Sequence, residues 1–266
     1  MKDLLLYKEF IKIYLKSKLE YRFSFFMDLF IQIFTYTINY ISIWIILSRF
    51  NNIFGWTFYE IMLLYNLNLF TYGISGLFIW GPMRQLEEMV VTGSFDSILS
   101  KPMNPFVHII FRQFQHAFIG HVILGIIIFI ISFNKLNIEF SILSMILFTT
   151  VIIGGVLIHS SIMIFTGSIC FWVGKSNSLV DTTVYGLRFF LDYPISIYHR
   201  WVQIFLTFIV PYGFVNYYPA HVFLNKGDVV FNEYLKYGTP IVGVIVFAFS
   251  YLIWNVGINK YSSAGS

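Results

Sequence analysis

Across 266 residues, 58% are hydrophobic and only 11% charged, with a mean hydropathy of +0.74, so the chain carries more apolar surface than one water-soluble core can hide. The formal charge of +4 is small and dispersed along apolar segments, which argues against a nucleic-acid-binding surface, and the single cysteine, Cys170, excludes an intrachain disulfide. The sequence has no Walker A phosphate loop, no HExxH pair and no Gly-x-Ser-x-Gly elbow, so ATP binding, zinc proteolysis and serine hydrolysis by those devices are excluded as well.

In chain order, residues 1–22 set Leu5, Ile11, Ile13, Tyr14 and Leu15 among Lys2, Lys8, Lys12, Lys16, Lys18 and Arg22, a basic amphipathic pattern suited to lying along an anionic membrane surface. They lack the short apolar core and small-residue cleavage site of a removable signal peptide. A spanning helix needs about 20 mostly apolar residues. The first such run covers residues 23–48 and ends at Arg49, Asn51 and Asn52; the second covers 57–80 and is broken by Gly81-Pro82. Residues 83–105 form the longest polar insertion, closed by Lys101-Pro102 and Asn104-Pro105. A third helix over 107–133 has a polar first third holding His108, Arg112, Gln113, Gln115 and His116. The fourth runs from Phe140 to Val173 and ends at Gly174-Lys175-Ser176-Asn177. The fifth, 178–193, is shorter and more polar and stops at Pro194.

Between residues 196 and 224, Pro211 and Pro219 interrupt apolar stretches in the manner of two short helices dipping into the interface, which broken backbone tolerates where protein or water satisfies it. A polar loop, 225–237, precedes a last helix over 239–258, and residues 261–266 are expected to be a flexible tail outside the fold. The basic residues of the N-terminal helix, Arg84, Lys101, Arg112, Lys175 and Lys260 fall on one side of this layout; Arg49, Lys135, Arg200, Lys226 and Lys236 fall on the other. Basic residues concentrate in cytoplasmic loops, so both termini are expected inside, with six crossings.

Two polar stripes mark the first two helices. Asp28, Gln32, Thr35, Asn39 and Ser42 recur at spacings of four and three, as do Tyr65, Asn68, Tyr72 and Ser75. Such stripes either line a pathway or supply interhelical hydrogen bonds of about 1 kcal/mol each. The fifth segment carries Asp181, Tyr185, Arg188 and Asp192 at spacings of four, three and four, so Arg188 shares one stripe with a carboxylate on either side. An ionisable residue at membrane depth is a functional candidate by default; the alternative is a snorkelling Arg188 beside an interfacial Asp192. His108, His116, His121 and His159 have no metal-ligand spacing and read as bundle histidines. In the polar insertion, Leu86, Met89 and Val90 share one helical face beside Glu87 and Glu88, and Gly93 ends the helix, a combination that suits docking in another protein's cleft or a plain solvated connector.

The stretch Gln85-Leu86 to Gly93-Ser94-Phe95-Asp96, followed by Leu99-Ser100-Lys101-Pro102-Met103-Asn104-Pro105, resembles the Gly-x-(Leu/Phe)-Asp and Arg-Pro-x-Asn-Pro pattern of a branch of the ABC type-2 permease family, with Lys101 in place of the usual arginine. Residues 193–201 (Tyr-Pro-Ile-Ser-Ile-Tyr-His-Arg-Trp) and the run from Pro211 to Pro219-Ala220 are similar to further motifs of that branch, and Glu20-Tyr21-Arg22-Phe23 matches its opening.

The resemblance implies an all-α integral membrane domain over residues 23–260, behind an amphipathic interfacial helix over 1–22. It has six transmembrane helices, a cytoplasmic coupling helix, and an outer re-entrant hairpin before the last helix. It implies a non-enzymatic permease of a bacterial cytoplasmic-membrane exporter, paired with a second copy or a sister permease. The ATP and Mg would be held by separate ATPase subunits, with membrane lipid as the other partner and no cofactor bound directly. Arg84, Leu86, Glu87, Glu88, Met89, Val90, Gly93, Asp96 and Lys101 are the expected ATPase-coupling residues. Asp28, Gln32, Asn39, Tyr65, Asn68, Tyr72, Asp181, Tyr185, Arg188 and Asp192 are the expected pathway residues. Drug-like, cationic, lipid-like and peptide cargoes are all consistent with the branch. A non-transporting scaffold or sensor subunit is the alternative; an importer permease is disfavoured by the lack of a Glu-Ala-Ala loop.

Overall fold

A computed structural model describes residues 2–50, 52–139 and 141–262, and among them every regular element is helical apart from one isolated bridge between Ile53 and Trp56. The side chains of residues 2–6, 8 and 15 lie outside this description. So do Asn51, Phe140 and residues 263–266, which the sequence reading gives to a turn, a helix start and the tail.

Helix α1 (Lys2–Glu20) meets α2 (Arg22–Arg49) at Tyr21. Aromatic contacts hold α1 against the bundle: Tyr7 stacks on Phe111 at 4.2 Å, and burial there pushes its phenol up to about 12, so it stays protonated. Helix α3 (Phe58–Val91) starts where the Glu60 carboxylate accepts from the Thr57 main-chain N–H at 2.7 Å, one half of a capping box.

The break expected at Gly81-Pro82 does not occur. A proline inside a helix removes one donor and crowds the carbonyl a turn earlier. Here a π turn over Gly76–Trp80 lies immediately upstream and widens the helix enough to carry it through. The Leu77 carbonyl, within that turn, accepts from the Gln115 N–H at 3.0 Å. Gly76 is required in the turn because a side chain there would run into the Phe118 ring.

The third expected helix is divided instead. Helix α4 (Pro105–Arg112) is capped by Asn104 Oδ1, which accepts from the N–H groups of Phe106 and Val107 at 2.9 and 3.3 Å. Residues 113–115 are non-helical, Gln113 being extended, and α5 (His116–Lys135) resumes. Helix α6 (Ile142–Val173) follows, and then comes α7, a run of three kinds of turn: α over Asn177–Asp181, π over Thr182–Gly186 and 3-10 over Leu187–Leu191. The stretch beyond Pro194 is broken at Val210-Pro211, between α8 (Arg200–Ile209) and α9 (Tyr217–Leu224), whereas Pro219 lies in the first turn of α9, where its missing N–H has no intrahelical partner to lose. Helix α10 (Thr239–Lys260) closes the fold.

Five of these helices, α2, α3, α5, α6 and α10, are long and apolar enough to cross a membrane; the irregular α7 is not among them. Helix α3 is the centre of the bundle, buried on every side from Ile61 to Leu69 and packed between α5 and α6, while α10 lies along α6. One core cluster gathers around Trp56, Tyr65 and Tyr217 and the other around Leu86, Phe95 and Trp254, so the two ends of the bundle are packed separately.

Where α6 and α10 cross, two glycines let the backbones touch: a Cβ on Gly243 would lie 2.6 Å from the Gly154 carbonyl oxygen, and one on Gly154 2.6 Å from that of Thr239. The obstructing atoms are main chain and cannot step aside. Gly154→Ala and Gly243→Ala are each expected to cost about 1–3 kcal/mol, typical of overpacking. Gly186→Ala, with a Cβ 3.9 Å from the Thr182 methyl, serves as the tolerated control. Thermal unfolding in detergent measures all three, and equal melting temperatures would refute the close crossing.

Candidate functional site

Two polar arrangements stand out, one in the bundle interior and one at the end where α3 emerges. The interior one is built on Arg188, which α7 projects towards the middle of α2 and α3. Its Nη2 donates to the Tyr36 hydroxyl at 2.9 Å, and its guanidinium sits 4.0 Å from the centre of the Tyr72 ring and 5.3 Å from that of Tyr36. Behind Tyr72 lie His121 and His159, ring to ring at 5.7 and 5.6 Å, and His159 faces Tyr212 at 5.5 Å. Several polar atoms here are buried without a partner: Arg188 Nη1, both amide atoms of Asn68, both ring nitrogens of His159 and Nδ1 of His121.

The carboxylates predicted to flank Arg188 are arranged differently. Asp181 points away to Arg84 of α3 at 2.6 Å, and Asp192, although only partly exposed, forms no ion pair with Arg188. Asn39 donates to the Tyr65 hydroxyl at 3.0 Å, and the next residue, Tyr40, donates its own hydroxyl to Asn66 at 2.9 Å. Tyr185 stands at the exposed edge of α7 with its ring 5.2 Å from Trp80. Gln32 lies over Gly120, and Thr35 and Ser42 are exposed.

Asp28 belongs to a separate cluster. Its carboxylate meets His116 Nε2 at 3.0 Å, while Nδ1 of the same ring takes the Tyr14 hydroxyl at 3.0 Å, so one buried histidine ties α1, α2 and α5 together. Sequence reasoning missed Tyr36, His116, His121, His159 and Tyr212 as neighbours of this chemistry. Tyr36 carried the only available signal, because it sits next to the stripe members Thr35 and Asn39 on the face that turns inward.

At the emerging end of α3 the apolar face is turned into the protein's own core. Met83, Leu86 and Val90 are buried and Met89 packs against the same cluster, so they do not supply the free face expected for a partner's cleft. Glu87 is also occupied: its Oε2 accepts from the main-chain N–H groups of Ser176 and Asn177 at 2.5 and 2.6 Å, which caps the start of α7. Arg84 adds the Asp181 pair and a bond to the Asn177 carbonyl at 3.3 Å, and Gln85 accepts from Gln113.

Gly93 takes φ +74 and reverses the chain; Thr92, Ser94 and Asp96 stand in the exposed turns that follow. The free surface of this end therefore includes Glu88, Val91, Leu99, Lys101 and Arg112 rather than the apolar helix face. Partial burial, helped by Arg112 and Lys101, lowers the pKa of His108.

A family model described as ABC-2 family transporter protein matches residues 33–265. The chain belongs to the ABC-2 transporter family. No curated protein and no solved structure matches it. Membership together with five membrane-length helices makes this a multi-pass membrane permease of an ABC transporter, of a family that works with ABC ATPase subunits.

Within this ABC-2 permease, the contacts from α3 to α7 form a latch of unequal parts. The Arg84–Asp181 pair is 40% and 42% exposed, so it contributes about 0.2–1 kcal/mol. Removing Glu87 leaves two N–H groups unmet beside the buried Ser176, a loss of about 0.5–2 kcal/mol. Glu87→Ala is therefore expected to lower thermal stability more than Arg84→Ala, and Glu88→Ala, an exposed neighbour, to leave it unchanged. Melting curves in detergent with equal shifts for Glu87 and Glu88 would show that the cap carries no load.

Proposed function

We propose that the chain is the permease of an exporter in which ATP-driven motion of partner ATPase subunits enters at the exposed turns around Val91 to Leu99 and passes along α3 to α7. The observation that carries this reading is the latch: Glu87 and Arg84, on the emerging end of the central helix, hold both the first turn and Asp181 of the segment that bears Arg188. A displacement at the tip of α3 moves that segment without crossing any soft linker. The chain has no nucleotide-binding loop of its own, so energy must enter through contact.

In this reading the end bearing α1, Lys101, Arg112 and Lys260 faces the bacterial cytoplasm, in keeping with its excess of basic residues. Segment α7 completes a sixth crossing in irregular form. A second permease, identical or sister, covers the half-exposed polar edge of α2 and α7 and encloses a pathway lined by Gln32, Asn39, Tyr185, Arg188 and Asp192. The hairpin of α8 and α9 dips into the outer face.

Five of the expected coupling residues, Arg84, Leu86, Glu87, Met89 and Val90, make contacts inside the subunit, so association should depend on others. Val91→Asp with Leu99→Asp is expected to reduce co-purification of the ATPase at least tenfold while leaving membrane insertion and melting unchanged. Leu86→Ala, a buried truncation, is expected to destabilise the permease by about 2–5 kcal/mol. Normal ATPase association in the double variant would refute this docking surface. Orientation is checked separately: a cysteine at Lys135 should react with an impermeant thiol reagent outside intact cells and one at Ser94 should not, and the reverse pattern would overturn the topology.

A further inference from the structure

We infer that Arg188 is the anchor of a binding site for an anionic oxygen group, a phosphate or carboxylate, on the molecule this permease moves. The inference rests on the pathway reading given above and adds the chemical class of the ligand.

A guanidinium carries five N–H donors and cannot give up its charge, so at membrane depth it needs acceptors or anions around it. Arg188 has one acceptor among the described residues, the Tyr36 hydroxyl on Nη2. Its Nη1 is buried with no partner, and among the described residues no carboxylate lies within ion-pair distance of it, Asp192 acting on it only from farther off. Asp181, two turns earlier on the same segment, is held by Arg84.

What surrounds the cation is aromatic. Tyr72 offers its ring face at 4.0 Å and Tyr36 its own at 5.3 Å, which orients the planar group without neutralising it. The arrangement is a planar cation held by a stack, with one prong on Tyr36 and the other left free to donate to a phosphate or carboxylate oxygen. Nη1 lies on α7, the segment whose start is latched to α3, and the exposed Tyr185 and Phe189 flank the arginine on the same segment. Movement of α7 thus brings the unused prong to the flank of the bundle, where an amphiphile within the membrane or a solute in an enclosed pathway can reach it.

The test uses the full permease purified in a neutral maltoside detergent. Binding of dodecyl phosphate is followed by native mass spectrometry against its cationic counterpart dodecyltrimethylammonium, with inorganic phosphate as competitor. Saturable binding of dodecyl phosphate alone is expected, weakened at least tenfold by Arg188→Gln and less by Arg188→Lys, which keeps the charge but loses the fork. Tyr36→Phe, which frees a second N–H, should not weaken it, and Asp192→Asn, which removes a nearby negative charge, should strengthen it.

Competition by inorganic phosphate identifies a soluble anion as the ligand source, and its failure to compete identifies an amphiphile headgroup. Equal binding of both amphiphiles, or wild-type affinity in Arg188→Gln, overturns the site. ATPase co-purification with the same variants is measured in parallel. Its absence even from the wild-type chain defeats the exporter reading without touching the binding result, and its retention beside lost binding locates the defect at Arg188 alone.

Discussion

A helix that continues through a glycine-proline pair has to give up a main-chain hydrogen bond, and α3 does so at the one place where the loss is absorbed. The π turn at Gly76–Trp80 widens the helix just before Pro82, and the Leu77 carbonyl is taken up by Gln115, whose own helix is interrupted at that level. Two irregularities thus satisfy each other. Because α3 is also buried on all sides through its middle, it is the element against which α5 and α6 are placed, and its emerging end can lie on the core cluster of Leu86, Phe95 and Trp254. Without continuity at Pro82 the stretch 81–91 would be a loop, and its contacts with α7 would not be tied to the centre of the bundle.

Much of this was legible in the sequence because length and apolarity are sufficient evidence for a membrane helix. The runs that became α2, α6 and α10 needed no other signal, and the prolines at 211 and 219 marked a broken stretch because a missing N–H cannot be hidden in lipid. What periodicity cannot state is which body covers an apolar face. Leu86, Met89 and Val90 share a face whether it meets another protein or the chain's own core, and only tertiary packing decides. The same holds for charge: Arg188 has Asp192 one turn on and Asp181 two turns back, yet its hydrogen-bond partner is Tyr36, 152 residues away. Gly81-Pro82 misled for a third reason, since a proline reads as a stop unless the compensating turn upstream is seen.

The inner face of α2 carries Tyr36, Tyr40, Ile43 and Leu47, and its lipid-like face carries Phe26, Phe30, Phe34, Ile41 and Trp44, all exposed. The polar stripe lies between these two faces. Asp28, Gln32 and Asn39 are partly covered, Thr35 and Ser42 are open, and α7 beside them exposes the turns of Thr182 and Gly186. Hydroxyls on a helix can return their hydrogen bond to the carbonyl three or four residues back, as Ser42 does to Ile38, and so tolerate lipid. Irregular main chain cannot, which is why the edge at α7, more than the stripe itself, demands cover by protein or water.

That demand also explains why the interior cation belongs on α7 and not on a regular helix. On α3 or α6, an arginine at this depth would be fixed by uninterrupted main-chain bonding and could reach a ligand only by changing rotamer. A segment that passes from α to π to 3-10 within fifteen residues has already exchanged its hydrogen-bond register twice, so further exchange is a smaller step. One end of the segment is tied by Glu87 and Arg84 to the rigid spine, and the other meets Pro194, which cannot donate into a helix. Under the proposed coupling, a deformable stretch between a driven end and a stop would concentrate displacement in its middle, where Tyr185 and Arg188 stand.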